Sequence, residues 1–122
     1  MEDSLAKVIE ALSRLRAPFC PGEYDLHDLA AKALSDAGIP FVHEARLLPR
    51  CRIDFLAEGV GIEVKKGRPE RKRLLRQLEG YAGSQQVMSL VVLVERAADL
   101  PPSVGGKICV TLSVNRMWGI AL

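Results

Sequence analysis

The spacing of apolar positions changes period along the chain, and each change marks a predicted element. Apolar residues at helical spacing predict three helices, at 4–16, about 25–37 and about 70–83. Alternating or continuous apolar runs predict strands at 41–48, 52–57, 60–66, 87–95 and 107–114, with a last short one in 117–122. The run 87–95 is continuously apolar, which is typical of a strand covered on both faces. The order ααβββαββ predicts an α/β fold, with a mixed sheet of about four to five strands flanked by helices.

A length of 122 residues predicts a single domain, 1–122. It would comprise a helical part at 1–38, a core at about 41–95 and C-terminal strands at 107–121. No apolar run reaches the roughly 18 residues of a membrane span, and the early acids in "MEDSLAKVIEALSRLR" argue against a signal peptide. Three widely spaced cysteines without a CxxC pair predict reduced thiols in a cytoplasmic protein, rather than disulfides or structural zinc.

The segment "RIDFLAEGVGIEVKKG" (52–67) predicts a hairpin with a two-residue turn at Glu58-Gly59. Side chains alternate between the two faces of a strand. The face expected to be apolar carries Ile53, Phe55, Ile62 and Val64, and the opposite face carries Arg52, Asp54, Glu63 and Lys65. In this register Asp54 lies opposite Glu63, and like charges directly opposed are destabilising unless a positive group lies between them.

Two interpretations of these charges stay open from the residues alone. In the first, a divalent cation lies between Asp54 and Glu63, because Mg²⁺ prefers one or two carboxylates and keeps several waters. The Val64 carbonyl would supply a third ligand, and Lys65 would hold a water or stabilise charge on a phosphate oxygen. In the second, Arg52 and Lys65 neutralise the two carboxylates as a charge ladder on the surface.

Positive charge is concentrated in one segment. Residues 65–76, "KKGRPERKRLLR", hold seven Lys or Arg and one acid, whereas the rest of the chain holds ten basic and fourteen acidic residues. A basic segment on a mildly acidic body predicts a partner that carries phosphate groups. The alternative is that these basic residues bind no partner and are simply the solvent-exposed start of the third helix.

Three short motifs together resemble the PD-(D/E)XK nuclease superfamily. They are "RID" with Asp54, "IEVK" with Glu63 and Lys65, and "RQLEGY", whose Gln77 and Tyr81 match the Q-x-x-x-Y element of RecB-like members. The match covers about Glu44 to Tyr81, and Ile53 stands where many members have proline. The resemblance implies a restriction-endonuclease-like core and a Mg²⁺-dependent deoxyribonuclease, in which Mn²⁺ substitutes for Mg²⁺.

The resemblance also implies roles for single residues. Asp54, Glu63 and the Val64 carbonyl would bind the metal, and Lys65 would act in catalysis. Gln77 would face the site and take part in catalysis by contacting the metal-bound water, Lys65 or the scissile phosphate. Tyr81 would support that face or contact the nucleic-acid backbone. Phosphates flanking the cut would be bound by the basic residues Lys66, Arg68, Arg71, Lys72, Arg73 and Arg76.

A fourth acid is implied upstream of Asp54, and Glu44 is the first candidate, assisting metal binding and catalysis directly or through water. Glu44 shares the face of Asp54 if the loop that connects their two strands has three residues or a bulge. A two-residue Pro49-Arg50 loop would instead point Glu44 inward. The rival candidates lie at the start of the second helix: Glu23, Asp25 and Asp28. For Asp25 and Asp28 we prefer the role of an N-cap or first-turn acid.

The remaining features narrow the expected partner and leave other functions open. His27 and His43 are interpreted as structural histidines. Six aromatic residues give few platforms for base stacking, so duplex or branched DNA is favoured over single strands. Cutting both strands with one site per chain favours a homodimer. The alternatives to a nuclease are a non-catalytic module that binds nucleic acid or assembles with other proteins, and a structural protein with an incidental charge ladder.

Overall fold

The computed structural model describes residues 3–16, 25–47, 50–96 and 98–114. These ranges contain three helices and six strands, and the predicted helices and long strands are all present within them. In chain order the elements are α1 (Asp3–Ser13), α2 (Leu26–Asp36), β1 (Val42–Leu47), β2 (Cys51–Ala57), β3 (Val60–Lys65), α3 (Arg71–Ala82), β4 (Ser89–Val94), β5 (Ser103–Val104) and β6 (Lys107–Ser113).

The strands form one mixed sheet in the order β1-β2-β3-β4-β6-β5. β1, β2 and β3 are antiparallel neighbours, β3, β4 and β6 run parallel, and β5 is antiparallel to β6. The predicted α/β class is therefore confirmed. The expected count of four to five strands was wrong for the described ranges, because β5 is a two-residue strand between 95 and 107, where no strand was predicted. The expected strand in 117–122 lies outside the described residues.

Helices cover both faces of the sheet. α1 and α2 pack on one face, over a core that includes Phe55, Ile62 and Val64. α3 packs on the other face, over a core that includes Ile53 and Val92. All six residues of β4 are buried, since its side chains alternate between the two cores. The prediction of a strand covered on both faces is confirmed. In the described ranges, no helix has the length and apolar character needed to cross a membrane.

The alternation of side chains breaks in β1 and β2 at the same level of the sheet. His43 pairs with Phe55 and Ala45 pairs with Ile53, but no described register pair joins Glu44 to Asp54 between them. Phe55 enters the core under α1 and α2, whereas Ile53 enters the core under α3. In a regular strand, residues two apart share a face, so the expectation that Ile53 and Phe55 do so was wrong. Glu44 has a φ of 53°, in the left-handed region, which marks the break in β1.

Candidate functional site

The two strands of the hairpin pair at the turn and then separate. Their register pairs run from Ala57 with Val60 to Phe55 with Ile62. The two-residue turn is therefore confirmed, and Glu58 and Gly59 both have positive φ, as the tight hairpin turn requires. Asp54 and Glu63 follow in this register without forming a ladder pair in the described hairpin. Instead the Val64 backbone N–H donates to Asp54 Oδ2 at 2.7 Å, so a side chain replaces the missing strand partner.

The Glu63 carboxylate is buried, and each of its oxygens has a partner. Its residue is 3% exposed. The Tyr81 hydroxyl from α3 donates to Oε1 at 3.0 Å, and Lys65 Nζ lies 3.0 Å from Oε2. The same hydroxyl lies 3.2 Å from the carbonyl oxygen of Arg52. Glu63 is thus fixed in position by α3 on one side and by its own strand on the other.

The electrostatics of this cluster favour an additional positive charge. Burial raises the pKa of Glu63, and the negative charge of Asp54 raises it further. The hydrogen bond and charge of Lys65 and the hydrogen bond from Tyr81 lower the pKa of Glu63 in part. Burial and the Glu63 carboxylate raise the pKa of Tyr81, which stays a neutral donor. Two carboxylates and one ammonium group leave the cluster with a net negative charge when all three are ionised.

The helix α3 brings Gln77 and Tyr81 to different depths of this region. Gln77 is half-buried and lines the same cavity of about 460 Å³ as Lys65. Tyr81 is 3% exposed and reaches Glu63 from inside the protein. Of the two roles open for Tyr81, its burial supports that of a supporting residue. A contact between Tyr81 and a nucleic-acid backbone is incompatible with this placement.

His27 approaches the site from the opposite face, which the sequence did not indicate. Its Nε2 lies 4.0 Å from Asp54 Oδ2, and the two side chains are 38% and 24% exposed. The ring centroids of His27 and Phe55 are 6.0 Å apart, and His43 stacks on Phe55 at 4.6 Å. The approach depends on how α2 packs over β2. No local pattern in the sequence carries that information.

The candidates for a fourth acid differ in their contacts. Leu47 pairs with Cys51, so three residues connect β1 to β2, and this even register places Glu44 opposite Asp54 along the strands. The Glu44 carboxylate nevertheless lies 3.5 Å from Arg52 and is 59% exposed. Asp25 is the N-cap of α2, as preferred, and accepts hydrogen bonds from the backbone of His27 and Asp28. Asp28 is an exposed first-turn acid, and Glu23 lies outside the described residues.

The basic segment lies on the surface at the start of α3. All six of its predicted phosphate-binding residues are exposed: Lys66, Arg68, Arg71, Lys72, Arg73 and Arg76. Arg71 Nε donates to the carbonyl oxygen of Asp99 at 2.9 Å, which fixes the helix start to the following loop. Glu70 caps α3 by accepting from the backbone N–H groups of Lys72 and Arg73. The segment begins at Lys65, so its charge lies next to the cluster of Asp54, Glu63 and Lys65.

The donor set at this site is small. Within the described residues, no group of three or more His, Cys, Asp and Glu side chains is arranged to hold a metal ion. What is present is a pair of carboxylates, Asp54 and Glu63, which interact electrostatically, and the Val64 N–H donates to Asp54. Comparisons with protein-family models, with curated proteins and with solved structures found no match. The functional argument therefore depends on the residues and contacts of this chain.

Proposed function

We propose that this protein is a Mg²⁺-dependent nuclease of the PD-(D/E)XK type that hydrolyses phosphodiester bonds in DNA. The observation that carries the proposal is the Lys65–Glu63 pair at the end of β3, which feels the charge of Asp54 from β2. Lys65 Nζ lies 3.0 Å from Glu63, and the charge of Asp54 raises the pKa of Glu63. Two carboxylates and an ammonium group are the set that the first two sequence motifs, "RID" and "IEVK", name. The exposed basic segment beside them supports a polyanionic substrate.

The oxygen donors fit Mg²⁺ better than a softer metal. Mg²⁺ is commonly held by one or two carboxylates and completes its shell with water and substrate oxygens. Asp54 and Glu63 would provide the carboxylates. Val64 would provide its carbonyl, because the N–H and C=O of a strand residue point to the same side and its N–H points to Asp54. Bound there, Mg²⁺ would polarise a phosphate oxygen and lower the pKa of a coordinated water.

The chain's own side chains would position the reacting groups. Lys65 is 30% exposed at its side chain, so its ammonium group is accessible from the cavity beside α3. There it would stabilise negative charge that develops on the phosphate. Gln77 lines the same cavity and would orient the water or the phosphate. Tyr81 holds Glu63 in place by donating to Oε1. As in the family it resembles, hydrolysis would leave 5′-phosphate ends.

The test is cleavage of labelled single-stranded, duplex, flap and four-way-junction DNA with Mg²⁺, with Mn²⁺ and with EDTA. Wild type should cut with either metal, and Lys65→Ala and Asp54→Ala should each lower the rate about 10²-fold or more. Lys32→Ala is the matched control, because Lys32 is an exposed lysine paired with Asp36 on α2. A metal-dependent rate that survives both site variants would contradict the proposal.

A second candidate is a nucleic-acid-binding module without cleavage. The observation that favours it is that Lys65 already pairs with Glu63, so the ammonium group neutralises the buried carboxylate without a metal. This candidate predicts salt-sensitive DNA binding that Lys65→Ala and Asp54→Ala leave intact. It also predicts no change in thermal stability on adding Mg²⁺, whereas specific metal binding would raise the melting temperature.

A further inference from the structure

A cavity lies beside the candidate site, between the end of β3 and the start of α3. Its volume is about 460 Å³, and its lining includes Lys65, Arg73, Gln77, Pro69 and Leu74. Small-molecule sites usually measure roughly 300–1,000 Å³ and combine apolar walls with a few polar groups. Here Pro69 and Leu74 supply the apolar surface, and two cations, one amide and the Glu70 carboxylate supply the polar groups.

Two polar side chains of this cavity are available for a ligand, whereas Lys65 is paired with Glu63 at 3.0 Å. Among the described residues, the Arg73 guanidinium and the Gln77 amide have no hydrogen-bond or ion-pair partner. The acid of the lining, Glu70, is engaged as the N-cap of α3, where its carboxylate accepts from the backbone of Lys72 and Arg73. Glu70 thereby occupies two of the helix N-terminal donors. An anion entering the cavity would therefore meet the side chains of Arg73 and Lys65.

We propose that this cavity binds one nucleotide unit of the substrate, next to the phosphate that is cut, with Arg73 as its phosphate ligand. The inference rests on the proposed nuclease function and names the part of the substrate that α3 recognises. Arg is suited to this role because its planar guanidinium donates two parallel hydrogen bonds to a phosphate. Gln77 donates or accepts at a polar edge of the nucleotide, and Pro69 and Leu74 contact its sugar or base.

This placement distinguishes Arg73 from its neighbours in the basic segment. Arg76 and Lys72 are exposed on the same helix but do not line the cavity. If the segment acts only as a diffuse positive surface, each of these cations contributes equally. If the cavity is a nucleotide subsite, loss of Arg73 has a much larger effect than loss of Arg76.

The test uses thymidine 5′-monophosphate as the probe, with no metal present, and follows binding by titration calorimetry. Arg73→Gln should weaken binding about tenfold or more because it removes charge-assisted hydrogen bonds to phosphate. Arg76→Gln is the matched comparison, with the same charge change on the same helix. Arg76 can bind a flanking phosphate of long DNA, but it does not line the cavity, so its loss should change binding of the mononucleotide less than about twofold. Equal losses in the two variants, or inorganic phosphate binding as tightly as the nucleotide, would overturn the proposal.

The nuclease and the subsite can fail separately. Nucleotide binding that depends on Arg73, in a protein that cuts no DNA, supports the subsite and rejects the nuclease. DNA cleavage with the same KM in Arg73→Gln and wild type rejects the subsite and supports the nuclease. When both hold, Arg73→Gln raises the KM for DNA more than it lowers kcat, since the residue binds substrate beside the cut.

Discussion

The two ends of the β2–β3 hairpin are built from the same strands but differ in how their backbone hydrogen bonds are satisfied. At the turn, Phe55 pairs with Ile62 and Ala57 with Val60, and all four side chains are fully buried. At the open end the ladder has stopped. There a carboxylate, Asp54, accepts the hydrogen bond from the Val64 N–H that a neighbouring strand would otherwise accept.

The difference shows why polar side chains are needed where the hydrogen-bond ladder of a small sheet stops. Along a regular ladder, backbone donors and acceptors satisfy one another, so the side chains are free to be apolar. Where the ladder stops, a side chain must satisfy the backbone, and polar groups become part of the structure. The consequence is electrostatic: burial and the charge of Asp54 raise the pKa of Glu63. Groups with shifted pKa values concentrate at functional sites, which supports placing the proposed site at the open end.

The largest effect is expected at the turn end. Phe55→Ala removes a fully buried aromatic ring that packs against Phe41 and His43. It should lower the free energy of unfolding by about 3–5 kcal/mol, measured by urea denaturation. Met88→Ala is the control, because Met88 is 60% exposed near the same turn, and its effect should stay within about 0.5 kcal/mol. Similar losses in both variants would mean that the turn end does not form this core.

At the open end, two replacements of Asp54 should differ from each other. Asp54→Ala leaves the Val64 N–H without its acceptor and should cost about 1–3 kcal/mol. Asp54→Asn keeps an acceptor and removes the charge that raises the pKa of Glu63, so it should be at least as stable as wild type. Urea denaturation in EDTA measures both. An Asn variant as unstable as the Ala variant would show that charge, rather than the hydrogen bond, carries the contribution of Asp54.

Tyr81→Phe should have a somewhat smaller effect. It removes the hydroxyl that donates to Glu63 at 3.0 Å and should cost about 1–2 kcal/mol. The pKa of Glu63 should rise further, because the lost hydrogen bond lowers it in wild type. Arg52→Ala is the control, since the Tyr81 hydroxyl reaches Arg52 at its backbone carbonyl, which the alanine variant keeps. If Arg52→Ala is the more destabilising of the two, the network does not run through the Tyr81 hydroxyl.

The pH dependence of stability should identify Glu63 directly. Its pKa in the folded protein is raised above its ordinary value of 4.5, so the folded state binds this proton more tightly than the unfolded state. Stability therefore falls as pH rises above about 4.5 and reaches a plateau above the folded pKa. Glu63→Gln removes this component. The melting temperature of wild type minus that of Glu63→Gln, measured in EDTA, should decrease with rising pH across this window, and a constant difference would contradict the raised pKa.

Local pattern was enough to predict most of the fold, because periodicity and turn residues act within a few positions of one another. The two-residue turn at Glu58-Gly59 set the hairpin register, and the N-cap at Asp25 began α2. β5 was not predicted, because a strand of two residues is too short to show an alternating pattern of apolar and polar side chains. The position of Ile53 on the α3 face was not predicted, because strict alternation of side chains assumes an unbroken strand.

The candidate site was predictable only in part. The spacing of Glu63 and Lys65 on one strand placed them together, and a helical spacing of four placed Gln77 above Tyr81. The Val64–Asp54 hydrogen bond and the approach of His27 depend on the packing of separate elements. Neither leaves a local trace in the sequence. The cavity lined by Lys65 and Arg73 also depends on the packing of separate elements, since it lies between the end of β3 and the start of α3.

The smallest effect is expected at Glu44, on the far side of the break. Its carboxylate is 59% exposed and lies 3.5 Å from Arg52, whose side chain is 53% exposed, and such surface pairs contribute about 0–1 kcal/mol. Glu44→Gln should therefore change the free energy of unfolding by no more than this. If the proposed donors are Asp54, Glu63 and Val64, it should also leave metal-dependent cleavage within about threefold of wild type, far from the roughly 10²-fold loss expected for Lys65→Ala. A loss as large as that of Lys65→Ala would make Glu44 the fourth acid of the site, and the carboxylate would then have to turn from Arg52 towards Asp54, the residue opposite it in register.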